Sequence, residues 1–133
     1  MVSLSDANNL AILNGTSAVD THLVAGGNIS ESALGWLSIG GWTFLTAGAD
    51  INLGVSVNTF IGQTQFTGAN VSLTTSNELI LAASTASGSL TVSAPSMTAN
   101  GAVSSGANTT LALSGTLVAN SLAAANLTIT GAT

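Results

Sequence analysis

The chain has 133 residues with no Lys or Arg, five acidic side chains and one His, which gives a formal net charge of -5 and a mean hydropathy of +0.58. Lacking cations to neutralise phosphates, it is not expected to take a nucleic-acid partner, and lacking Cys it holds neither a disulfide framework nor a thiolate metal site. The acids are Asp6, Asp20, Glu31, Asp50 and Glu78, so no side chain from Leu79 to Thr133 is ionisable.

Residues 1–30 form the first texture. Ser5 or Asp6 can cap the run ANNLAILN, which stops at Gly15, and this predicts a short N-terminal helix or an extended anchor segment. Leu10, Ile12 and Leu13 would give it an apolar surface that docks on something. The start has no basic region of the kind that precedes a secretory signal's apolar core.

Residues 31–67 are the second texture, with both Trp (Trp36 and Trp42) and all three Phe (Phe44, Phe60 and Phe66). The runs WTFLTAG, DINLGVSV and TFIGQTQF alternate with period two and are rich in β-branched and aromatic residues, which predicts strands. The large side chains are expected to build a core or a broad contact patch, with Trp36 and Trp42 inside it or at a subunit interface. Ala33 to Ala49 has the length of a membrane span, but lack of charge is a property of the whole chain and four glycines interrupt the stretch, so no span is expected.

Residues 68–133 are a third texture: short alternating strands VSLTTS, ELILAAS, SLTVSA, TLALSG, TLVAN and LTITGA, separated by Gly, Ala, Ser and Asn. Regular aliphatic alternation sets them apart from disordered Ser/Thr-rich sequence. An entry motif recurs as GANVSL, SGSLTV, GANTTL and AANLTI. Leu73, Leu90, Leu111 and Leu127, taken as its aliphatic positions, are spaced 17, 21 and 16 residues apart, which disfavours a single-chain solenoid of regular coil length. The Asn residues Asn70, Asn100, Asn108, Asn120 and Asn126 fit turns, and a stacked Asn ladder is the competing reading.

Strands this thin, with no charge outside, bury little within one chain. The expected solution is a homotrimer whose aliphatics fill a common axis while Ser and Thr face outward. Its subunit-interface candidates are Leu10, Ile12, Leu13, Trp36, Trp42, Phe44, Leu90, Val92, Leu111, Leu113, Leu117, Leu127 and Ile129, with Thr110, Ser114, Thr128 and Thr130 outside. The fold class is mainly β, an intertwined trimeric β-helix or β-prism shaft, with a single-chain β-solenoid or β-sandwich as the alternative.

Candidate chemistry is sparse. Asp20 and His22 in DTHLV would share a strand face, two groups that could begin a metal site or an acid/base pair, but no third ligand accompanies them. VAGGNIS and LSIGGWTF lack phosphate-loop spacing and a Lys. No Ser sits in a nucleophile-elbow pattern. No catalytic residue, cofactor or metal is expected, and the protein is read as a non-enzyme. Five Asn-x-Ser/Thr sites, at Asn14, Asn28, Asn70, Asn108 and Asn126, stand against about three that this composition produces by chance, a weak signal for glycosylation.

The tract SLTVSAPSMTANGAVSSGANTTLALSGTLVANSLAAANLTITGAT resembles the shaft segments of tailed-bacteriophage fibre and capsid-decoration proteins. That resemblance implies a trimeric, β-rich virion structural protein, attached to capsid or tail through its N-terminal part. Two alternatives stand beside it: an extracellular filament subunit polymerising by strand exchange, and a β-solenoid that binds a surface as an adhesin or an ice-binding protein.

Overall fold

The computed structural model describes residues 1–131 and is built of strands stacked in parallel. Each coil of the chain runs along both of two sheets, with one strand on each except in the fifth coil, where two short strands share the first sheet. In chain order the coils are β1 (Val2–Asp6) with β2 (Leu10–Ser17), β3 (Thr21–Ala25) with β4 (Ile29–Ile39), and β5 (Thr43–Ala47) with β6 (Ile51–Phe60). Then come β7 (Gln63–Gly68) with β8 (Val71–Thr75), and β9 (Leu79–Leu81) and β10 (Ser84–Ala86) together with β11 (Leu90–Ala94). The last two coils are β12 (Met97–Ser105) with β13 (Asn108–Leu113), and β14 (Leu117–Ala123) with β15 (Asn126–Thr130). Sheet A takes the first strand of every coil, and both β9 and β10 in the fifth, and sheet B takes the last, in the order of the coils. This is a single-chain β-solenoid.

The core forms because inward positions of successive coils fall on one another. One sheet B file runs unbroken through Leu10, Ile29, Ile51, Val71, Leu90, Thr109 and Leu127, and a second joins Leu53, Leu73, Val92, Leu111 and Ile129. Sheet A contributes Leu4, Leu23, Leu45 and Phe66 in matching register. Phe60, Phe66, Leu53, Leu73, Leu90 and Leu111 have no solvent exposure.

Several expectations are corrected here. Residues 7–14 are not helical: Leu10 and Ile12 share the inward face of β2 at the two-residue spacing of a strand, stacking on Ile29 and Glu31, while Leu13 points outward. The sheet does not need other chains to complete it. Leu90, Val92, Leu111 and Leu113 are buried against their own chain's coils, because the two sheets close over one another within 133 residues. Leu10 and Leu117 pack on that core half-buried, and Leu127 and Ile129 lie on the same files in the last coil, covered from one side only.

The irregular spacing also has a simple origin. The pairing matches Leu73 to Val92, Val92 to Leu111 and Leu111 to Ile129, a spacing of 19, 19 and 18. Reading Leu90 and Leu127 as the equivalents of Leu73 slips two residues along a strand, which stays on the same face and so leaves the hydrophobic pattern intact.

The Asn residues before sheet B do form a ladder at one corner. Asn9 Oδ1 accepts the backbone N–H of Asn28 at 2.8 Å, Asn28 Oδ1 that of Asp50 at 2.9 Å, Asp50 Oδ1 that of Asn70 at 3.0 Å, and Asn70 Oδ1 that of Ser89 at 3.0 Å. Asn126 Nδ2 then donates to Asn108 Oδ1 at 3.0 Å. Coils about 4.8 Å apart are at the right distance for each side chain to satisfy the next coil's corner. Asn70→Ala removes one acceptor and one donor at an exposed site and is expected to cost about 1 kcal/mol, seen as a fall in the urea midpoint at unchanged slope. Beside the ladder Gly48 is required, since a Cβ there would sit on the carbonyl oxygen of Gly26 in the coil before it.

Candidate functional site

Alternation in β3, β5 and β7 puts Thr21, Leu23, Thr43, Leu45, Thr64 and Phe66 inside, and so forces their neighbours outward. On the outer face of sheet A, pairing then sets three files side by side. Asp20, Trp42 and Gln63 flank one edge, where Thr21, Thr43 and Thr64 follow them in register. Ser3, His22, Phe44 and Gln65 form the middle file, and Ser5, Val24, Thr46 and Thr67 the next.

The centre of this face is aromatic. The His22 ring stacks on Phe44 with centroids 4.3 Å apart and planes at 28°, and Trp42 lies 5.6 Å from Phe44 at 21°. Trp42 is 38% exposed, and His22 and Phe44 are half-buried. Asp20 Oδ1 accepts the Trp42 backbone N–H at 2.8 Å, which fixes the approach of the chain to β5. Asp20 and His22 are thus engaged separately, one with a backbone amide and the other with a ring. Among the described residues no group of three or more His, Cys, Asp or Glu is placed to hold a metal ion.

Of the two positions expected for the tryptophans, the core is excluded, since both are exposed on the surface of the single chain. Trp36 is 44% exposed on β4, on the other sheet. There the register slips between Ser30 and Ser38 and again between Leu53 and Asn58, so that extra residues of β4 and β6 bulge outward. Leu13, Leu34, Trp36, Val55 and Val57 are exposed on or beside this hump. Beneath it, buried Asn58 accepts the Leu37 N–H on Oδ1 at 2.7 Å and donates through Nδ2 to the Leu53 carbonyl at 2.9 Å and to Glu31 Oε1 at 3.2 Å. Glu31 Oε1 also accepts the Ser56 N–H at 2.9 Å. Nothing in the sequence motifs singled out Glu31 or Asn58; a carboxylate at an inward strand position, in register with Ile12, was the available signal.

At the β1–β2 end, an apolar cavity of about 120 Å³ walled by Leu4, Ile12, Leu23 and Leu37 brings no titratable group together. Among the described residues no helix is long and apolar enough to cross a membrane.

Fold and surface together define the class: a repetitive, parallel β-solenoid with an aromatic outer face. The chain belongs to the family described as Repeats of unknown function (DUF5649), whose model matches residues 1–67 and again 68–133. The junction falls at the end of β7, inside a coil, so the second match starts on the sheet opposite to the first and the stack passes through without a break. Comparison with curated proteins gives no match. Comparison with solved structures gives none either.

Proposed function

We propose that the chain is a non-enzymatic structural protein, a stiff solenoid segment that serves as shaft in an extracellular fibre, with a virion as the particle that carries it through capsid or tail. The observation that supports this reading most is continuity. The inward file from Leu10 to Leu127 crosses the junction of the two matched repeats at Ile51 and Val71 without a change of register. A fold in which each coil covers only its neighbours lengthens by adding repeats and keeps its cross-section. Its exterior is rich in Ser, Thr and Asn and carries only four carboxylates, Glu31 being buried, so its association should respond little to salt.

Small-angle scattering on the chain and on a covalent tandem of two copies tests the shaft. Seven coils at about 4.8 Å each give a stack about 34 Å long. The tandem is expected to double that length at constant cross-sectional radius; two independently tumbling bodies would overturn the reading. Native mass spectrometry decides whether shafts bundle as a homotrimer. Antibody labelling of purified particles tests the setting, where decoration of cell-surface filaments instead of virions would move it to the cell.

A further inference from the structure

We infer that the outer face of sheet A across β3, β5 and β7 is a binding platform for neutral glycan chains. The inference goes beyond the shaft role, and the two fail independently, since scattering length does not depend on what this face binds.

Three observations carry it. First, the rings are outside by choice of strand parity. The same chain buries Phe60 and Phe66 completely, yet it places Trp42, Phe44 and His22 outward, where they add nothing to the core. Trp42, 38% exposed at the end of this stack, offers apolar ring surface on which the C–H face of a pyranose ring packs. Second, the rings are framed by groups suited to sugar hydroxyls. Gln63 and Gln65 lie in register below Trp42 and Phe44, Asp20 and Ser3 lie above Trp42 and His22, and Thr46 and Thr67 run alongside. The parallel strands set these groups on successive coils, so the platform runs along the stack over several coils, which suits an extended polymer more than a compact ligand.

Third, charge selects the ligand. With no Lys or Arg and a net charge of -5, the chain offers no guanidinium or lysine ammonium to pair with sulfate, uronate or phosphate, and Asp20 at the platform's edge repels them. Hydroxyl-rich, uncharged polysaccharide is the class that matches amides, hydroxyls and rings without a cation.

Affinity electrophoresis tests this with hydroxyethyl cellulose, soluble β-1,3-glucan, glycol chitin and dextran in the gel, and heparin as the anionic probe. The native chain is expected to be retarded by at least one of the neutral polymers and not by heparin. Trp42→Ala should weaken that binding about tenfold, equivalent to about 1.4 kcal/mol, while Trp42→Phe retains most of it. Trp36→Ala, on the opposite sheet, should leave it unchanged. Far-ultraviolet circular dichroism and the melting temperature establish that each variant is folded, and Gln65→Ala gives a second, smaller loss should Trp42→Ala fail to fold. Absence of retardation by every neutral polymer, retardation by heparin, or equal loss in Trp36→Ala and Trp42→Ala would each overturn the proposal.

Discussion

Phe66→Ala should lower the unfolding free energy by about 3–5 kcal/mol, whereas Ile129→Ala should cost less than about 1.5 kcal/mol. Phe66 is fully buried in the fourth of seven coils, stacked on Leu45. Truncating it leaves a cavity that the coils above and below cannot close, because each is held by its own ladder of backbone hydrogen bonds. In a one-dimensional stack a weakened middle coil also uncouples the two halves, so hydrogen exchange should lose protection on both sides of β7. Ile129 is 40% exposed in the last coil, and its loss frays only that end. An intertwined trimer orders these two sites differently, since Ile129 would then lie on the central axis and its truncation would be felt three times. Chemical denaturation of the two variants separates the cases, and equal losses would rule out a core closed within one chain.

Much of the strand content was legible. Leu90 and Val92 inside with Thr91 and Ser93 outside follows from alternation alone, and the structure keeps that division. What alternation does not give is register. Successive inward positions of a strand are equivalent in pattern, so Leu90 passes for the partner of Leu73 although Val92 is. Only the whole entry motif, with Asn70, Ser89, Asn108 and Asn126 at its third place, pins the coil. Face choice in the aromatic region was hidden for a related reason. In WTFLTA the odd and even positions are both apolar enough to be buried, and stacking Thr43 and Leu45 on Thr21 and Leu23 turns Trp42 and Phe44 outward. At the N-terminus, the adjacent pair Ile12 and Leu13 fits a helix as well as a strand until the neighbouring coil is there to claim Ile12.

The missing charge is explained by the same geometry. Parallel coils in register bring equivalent side chains to within about 5 Å, so a charge repeated in every coil would stack on its own kind and destabilise the sheet. Asp50 fits because it occurs once in the corner ladder, between Asn28 and Asn70, where its oxygen accepts from both the N–H and the side-chain amide of Asn70.

Asn58→Leu should cost about 3–5 kcal/mol although it preserves the buried volume. The Asn58 side chain bonds two backbone groups beside the bulges of β4 and β6, the Leu37 N–H and the Leu53 carbonyl, and also donates to the Glu31 carboxylate at Oε1. A leucine leaves the Leu37 N–H and the Leu53 carbonyl without the Asn58 side chain, while Glu31 Oε1 keeps the Ser56 N–H, and each buried unpaired group costs about 1–3 kcal/mol. Glu31→Ala strips the acceptor from the Ser56 N–H and Asn58 Nδ2 and should cost about 2–3 kcal/mol. Glu31→Gln keeps that oxygen and replaces Oε2, which is buried without a hydrogen-bond partner, so it should stay within about 1 kcal/mol of the native chain. Exchange mass spectrometry should show the Asn58→Leu damage first in 32–37 and 53–58, with Leu34, Trp36, Val55 and Val57 losing their fixed display while the far coils stay protected. A loss confined to Asn58→Ala, with Asn58→Leu near native, would mean that the site is held by packing and that the polar network beneath the hump is incidental.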